Sequence, residues 1–261
     1  MDEPSLRRPA REALENAPAA ERPASRVEDG VKVYGTGSTA VRALDGITVD
    51  FPRGGFTAVM GPSGSGKSTL LHCLAGLDDL TSGRVLLGDI ELTGLDDDRR
   101  TVLRRERVGF VFQTFNLVPT LTAAENIELP LRLAGRRPDP GWVANLAERL
   151  GISGRLRHRP SQLSGGEQQR VAVARAVVTR PDTVFADEPT GNLDSRAAGE
   201  LRGLLRWAVD ELHQTIVMVT HDPRAASVAD RVVLLADGRI VDDLDHPELG
   251  SILDALRRLG S

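Results

Sequence analysis

Cysteine is nearly absent. Cys73 is the only one among 261 residues, which excludes an intrachain disulfide and a thiolate metal cluster. Aromatic residues make up 3% of the chain and Tyr34 is the sole tyrosine, so a tyrosine signal from this protein has one source. There is no excess of basic charge either: 33 Lys and Arg against 37 Asp and Glu leave a formal net charge of −4. That balance argues against a protein that binds nucleic acid through a broad basic surface. No apolar run approaches the ~18–20 residues that span a bilayer, and residues 1–26 lack the continuous apolar core of a signal peptide. These absences predict a cytoplasmic protein, which a partner must hold at a membrane if it works at one.

What is present reads as a globular chain, 40% apolar and 27% charged. Residues 1–26 stand apart. They carry Pro4, Pro9, Pro18 and Pro23, and Leu6 and Leu14 are almost their only large apolar side chains. Such a stretch buries too little to offset its ordering entropy and is expected to be a disordered tail, with at most a short helix near 11–16. From residue 27 to 261 the pattern is compact. β-rich runs at 47–51, 57–60, 84–87, 108–112, 183–186, 215–219 and 231–235 alternate with helix-like stretches at 67–75, 166–178, 197–211 and 249–259. This alternation predicts an α/β fold with a largely parallel sheet and an antiparallel, β-rich N-terminal part. Helical patterns at 123–134 and 142–150, joined by the turn-rich stretch 136–141, break the rhythm and predict an inserted helical subdomain at about 120–165.

Three motifs carry chemistry. The run Gly61, Pro62, Ser63, Gly64, Ser65, Gly66, Lys67, Ser68, Thr69 fits G-x-x-x-x-G-K-[ST] between a predicted strand and a predicted helix. Its glycines let backbone N–H groups approach phosphate oxygens, and the helix offers its positive end to the same anion. Lys67 is placed to reach the β- and γ-phosphates, and the Ser68 hydroxyl to ligate Mg²⁺. Second, an apolar strand ends in Asp187 and Glu188. Downstream of a P-loop, that pair predicts a metal-holding carboxylate and a water-polarising base. Third, Leu163, Ser164, Gly165, Gly166, Glu167 and Gln168 lead into a helix. This is either an ordinary Ser N-cap with an acid in its first turn or a second anion cradle. One nucleotide per chain needs no second cradle, unless that cradle closes over a nucleotide held by another copy.

On these residues the chain, from about 27 to 238, resembles the ATP-binding subunit of ABC transporters, whose signature motif is the third run. The resemblance implies further roles. Gln113 is similar to the Q-loop glutamine, a catalytic and Mg²⁺-site residue. Gly191, Asn192, Leu193 and Asp194 are similar to the D-loop, His221 to the switch histidine that contacts the γ-phosphate, and Tyr34 to the aromatic that stacks on adenine. Ser164, Gly165, Gly166, Glu167 and Asp194 would then contact an ATP held by the other copy of a head-to-tail homodimer. The stretches 113–119 and 188–194 resemble the branch with the lipoprotein-release, macrolide-export and cell-division ATPases. The long N-terminal stretch and Phe185, where a smaller aliphatic is usual, depart from that pattern.

The resemblance thus implies an ATP hydrolase with ATP and Mg²⁺ as cofactors. It would be peripheral to the inner face of the cell membrane through an integral-membrane permease, with no nucleic acid as partner. A mechanical signalling role through a non-transporting membrane protein fits the same motifs. A chromosome-organising ATPase does not, because the interval from Lys67 to Ser164 is short and lacks sustained heptads. The apolar loop residues Phe115, Leu117, Val118 and Leu121 are expected to face the permease.

Overall fold

A computed structural model describes residues 22–259. Strands β1 (Ser25–Tyr34), β2 (Val41–Phe51), β4 (Ser82–Leu87) and β5 (Ile90–Glu91) form an antiparallel sheet in the order β2-β1-β4-β5. A second sheet holds β3 (Phe56–Met60), β6 (Val108–Phe112), β7 (Thr183–Asp187), β8 (Thr215–Val219), β9 (Arg231–Ala236) and β10 (Arg239–Asp245). Its order is β10-β9-β3-β8-β7-β6, and it is parallel except where β10 pairs with β9. This is the α/β architecture that the alternation of strands and helices predicts.

The inner strands face two cores. In β7, Val184 and Ala186 enter one core and Phe185 the other; in β8, Ile216 and Met218 oppose Val217 and Val219. Burial on both faces is why these strands read as unbroken apolar runs. Helix α1 (Lys67–Leu74) lies in the core shared with the antiparallel sheet. On the opposite face pack α3 (Ala123–Leu133), α4 (Pro140–Arg149), α5 (Gly165–Val177), α6 (Ser195–Leu212), α7 (Pro223–Ala226) and α8 (Leu249–Leu259). Each fully buried Leu, Val, Ile or Phe contributes about 1.5–3 kcal/mol here. Cys73 sits on α1, and burial pushes its thiol up to about 12, so it is inert at neutral pH.

Two elements differ from expectation. β1 starts at Ser25, inside the stretch read as tail, because Ala24 and Ser25 are fully buried and Ala24 bonds both to Phe51 and to Gly88. Residues 1–21, with the possible short helix near 11–16, lie outside the described residues. Helix α2 (Asp97–Arg107) buries no side chain, so no apolar period announces it. It is held at its ends: Asp96 accepts from Arg99 N, acids fill the first turn, and Arg104, Arg105 and Arg107 fill the last.

Strand register positions everything that follows. Val59 of β3 and Asp187 of β7 both lie level with Val219 of β8, and Phe112 of β6 lies level with Asp187. The loops after these four strands therefore open on one rim, where open α/β sheets bind ligands.

Helix α5 lies so close on β6 that a Cβ at Gly109 would come within 2.2 Å of the Ala176 carbonyl oxygen. Gly109→Ala should cost about 1–3 kcal/mol by overpacking. Urea unfolding checks this: the midpoint should fall with the slope unchanged, and an unmoved midpoint would mean that the helix can shift freely.

Candidate functional site

The loop at 61–69 wraps the start of α1. Gly66 precedes the helix at φ 102°, and a Cβ there would lie 2.2 Å from the Ala43 carbonyl oxygen, so only glycine fits. Lys67 is buried, and its ammonium donates to the carbonyls of Gly61 (2.9 Å) and Pro62 (2.8 Å). Burial holds its pKa below the ordinary lysine value, against the pull of Glu188 and Asp187. Ser65 is also buried, and its hydroxyl has no partner among the described residues.

The Ser68 hydroxyl donates to Asp187 Oδ1 at 3.3 Å, so the P-loop helix and the end of β7 bring a hydroxyl and a carboxylate to one point. Burial raises the Asp187 pKa, and His72 and Ser68 only partly offset it. His72 Nε2 is 4.0 Å from Asp187 Oδ2. Hard oxygen donors beside an under-compensated carboxylate fit a small divalent cation. Glu188, the next residue, adopts φ 46°, unusual for a residue with a side chain. The turn is pinned, since Glu188 N donates to Val219 O and Gly191 N to Glu188 O. The carboxylate accepts from His221, whose Nδ1 is 2.9 Å from Oε1 and whose backbone N is 3.4 Å from Oε2. His221 is 73% exposed and Glu188 19%, so the imidazole stands between the carboxylate and solvent.

Ser164 caps α5 by accepting from Glu167 N, and the Glu167 carboxylate accepts in return from Ser164 N at 2.8 Å. Arg155 donates to the same carboxylate at 2.6 Å. Bonds from Arg155 and Ser164 hold the Glu167 carboxyl down at about 2. That carboxylate is engaged within its own chain, where it shapes the loop. Ser164, Gly165 and Gly166 line a cleft of about 420 Å³ with Arg170, Asn192 and Asp194 among others, and no residue of the loop 61–69 lines it. Asp194 caps α6 by accepting from Arg196 N and Ala197 N, both at 2.9 Å.

Gln113 is brought to the D-loop rather than to the Ser68–Asp187 pair. Its Nε2 donates to Asn192 Oδ1 at 3.3 Å, and Asn192 Nδ2 donates back to Gln113 O at 3.1 Å. A Cβ on Gly191 would block that position, coming within 2.7 Å of Gln113 Nε2. Tyr34 ends β1 beside Thr69, with its ring 42% exposed. Leu117 packs on the main core, and Phe115 reaches Gly165 at the signature helix, so this apolar loop is partly spent inside the chain.

A sequence model of the ABC transporter family matches residues 44–191. The chain belongs to that family. It is an ABC ATPase of the branch that contains the LolD and MacB proteins. It is 44% identical over 211 residues to the "Lipoprotein-releasing system ATP-binding protein LolD" of Legionella pneumophila, covering 80% of this chain and 93% of that one. It is 44% identical over 229 residues to the "Macrolide export ATP-binding/permease protein MacB" of Hyphomonas neptunium. That match covers 85% of this chain and 34% of MacB, so the chain spans about a third of the MacB proteins. Among solved structures, the ATP-binding cassette MJ0796 in a dimeric post-hydrolysis state bound to ADP and Pi aligns with TM-score 0.77 at 38% identity. The alignment covers 85% of this chain and 99% of that one.

Several residues of this ABC ATPase's site escaped sequence reasoning. Arg175 on α5 donates to the carbonyls of Phe115 (2.8 Å) and Asn116 (2.5 Å), both at positive φ, and so ties the Q-loop to the signature helix. Gln169, the residue after the signature, donates to Pro189 O at 2.8 Å next to Glu188. Arg155 neutralises Glu167. Bonds of this kind between separate segments leave no spacing pattern to read.

The Glu167 pair makes a pH prediction. Its carboxyl moves from 4.5 to about 2 on folding, so its contribution is present above the higher value and is lost as pH falls through the lower one. Wild type should be more stable than Glu167→Gln near neutral pH, and the gap should close between pH 4.5 and about 2 in urea titrations. A gap that is constant with pH would contradict the assignment.

Proposed function

We propose that this ABC ATPase works as a head-to-tail homodimer that energises an integral-membrane permease from the cytoplasmic side. Each ATP would lie between the loop 61–69 of one copy and Ser164, Gly165 and Gly166 of the other, with Asp194 at the same junction. One observation carries the reading. The cleft in front of Ser164, Gly165 and Gly166 is lined by no residue of the loop 61–69, the other helix start that would take a phosphate. A second copy supplies the missing half. MJ0796, of similar fold, forms a dimer with ADP and Pi, and LolD is the ATP-binding protein of a lipoprotein-releasing system. Among the described residues no helix is long and apolar enough to cross a membrane.

The chemistry follows from the rim. Lys67 would leave the carbonyls of Gly61 and Pro62 for the β- and γ-phosphates, a small movement for a side chain already in the loop. Ser65 would find in a phosphate oxygen the partner it lacks. Ser68 and Asp187 would hold Mg²⁺, and Gln113 would join them if its bond to Asn192 opens. The ion, when bound, would neutralise phosphate charge. Glu188 would orient and deprotonate the attacking water, and His221, already bonded to Glu188, would contact the γ-phosphate. Hydrolysis removes the anion that bridges two copies, so it releases the joint and delivers the stroke.

Glu188→Gln tests the base. It keeps shape and removes the carboxylate, so single-turnover hydrolysis should slow by about 10²–10⁴-fold. ATP should then hold the variant as a dimer in size-exclusion chromatography with light scattering, and Ser164→Arg in the same chain should abolish that dimer. An unimpaired chemical step would remove Glu188 as the base.

A further inference from the structure

Lys32 and Tyr34 are two residues apart on β1 and so lie on the same side of the strand. Both reach Asp78. Tyr34 Oη donates to Asp78 Oδ2 at 2.6 Å, and Lys32 Nζ donates to Asp78 Oδ1 at 2.5 Å and to Asp79 O at 2.6 Å. Asp78 stands just past the end of α1, where its backbone N donates to His72 O, so it is anchored to the helix that begins at Lys67. Lys32 Nζ also lies 4.8 Å from the centroid of the Tyr34 ring. The ring is thus held at its hydroxyl by an anion and backed on one face by a cation, while much of its surface stays open.

We propose that Asp78 is the positioning residue for the nucleotide base, fixing the Tyr34 ring through its hydroxyl and through Lys32 at a set height above the P-loop helix. The proposal rests on the reading that Tyr34 stacks on the base. A tyrosine on a strand end that were free to rotate would have to be ordered each time a nucleotide bound, and that ordering would weaken binding. Asp78 removes the freedom beforehand. It also ties the base platform to α1, so the distance from base to phosphates is set by one rigid element. The arrangement acts on binding and leaves the γ-phosphate chemistry to the opposite end of the site. Two bonds to one carboxylate make the device sensitive to that carboxylate alone. Against the burial that opposes ionisation, the bonds from Lys32 and Tyr34 keep the Asp78 carboxyl below its ordinary value. Burial and the Asp78 contact raise the Tyr34 phenol above its own.

The test is a double-mutant cycle on the full chain, with ATP as the probe. Asp78→Ala should raise the KM for ATP by about 3- to 10-fold, the range expected for freeing one side chain, with the loss in KM rather than kcat. Asp78→Asn, which keeps an acceptor for the hydroxyl, should fall between Asp78→Ala and wild type. In a Tyr34→Ala background neither change should weaken ATP further. Because Tyr34 is the sole tyrosine, ¹³C-tyrosine labelling reads its ionisation directly, and its phenol should ionise at lower pH in Asp78→Ala than in wild type. If Tyr34→Ala weakens ATP but Asp78→Ala does not, or if Asp78→Ala weakens ATP equally without Tyr34, the positioning role is overturned while base stacking survives. If Tyr34→Ala itself leaves the KM unchanged, base stacking fails and the proposal fails with it, even where the phenol shift is seen. Should Asp78→Ala not fold, Asp78→Asn carries the same cycle.

Discussion

The reciprocal cap between Ser164 and Glu167 is the interaction on which the proposed composite site depends. In the proposed dimer the signature loop receives a phosphate, and the acid it contains would repel that phosphate if it faced outward. The fold turns the acid inward. Glu167 closes the backbone of its own loop and is neutralised by Arg155 at 2.6 Å, so the front of the loop presents Ser164 and two glycines. The same bonds make the loop rigid before any partner arrives. A preorganised cradle of this kind spares the cost of ordering on binding. Arg175 and Gln169 extend the rigidity along the helix, to the Q-loop on one side and the Glu188 turn on the other.

The opposite half of the site is held by sheet register. Asp187 and Val219 are level, and the Glu188 N–H reaches back to Val219. This bond fixes the left-handed turn that brings Glu188 under His221. The carboxylate is therefore one residue beyond the sheet, held by backbone on one side and imidazole on the other. A carboxylate so confined is already oriented for the proposed role of base. Gln113 leaves β6 on the same rim, where its side-chain amide and its backbone carbonyl both bond to Asn192.

Much of this was legible in the residues. The G-x-x-x-x-G-K-S-T run, the strand ending in Asp187 and Glu188, and the Ser164 start of a helix each carry a local mechanism, and local mechanisms survive folding. The alternation of short β-rich runs with helical patterns indicated the α/β fold and its largely parallel sheet. What could not be read depends on contacts between distant segments or on their absence. Helix α2 has no fully buried side chain to set an apolar period, and its clearest signals are the charges at its ends. The inward fate of Glu167 depends on Arg155, which carries no motif. The loop at 115–121 looked like an exposed apolar surface, yet Leu117 packs on the core. Asp78 reads as one more polar residue in a turn until β1 is laid beside it.

The central claim is that each chain carries two halves of different sites, and that chemistry needs two chains. Mixing two inactive proteins tests it most directly. Lys67→Ala has a damaged phosphate loop and an intact signature, and Ser164→Arg has the reverse. Each variant should be inactive by itself. In a one-to-one mixture, mixed dimers regain one intact site, so ATPase activity should rise well above the sum of the two separate proteins. Activity no greater than that sum, in a mixture shown to form mixed dimers, would contradict a site shared between chains.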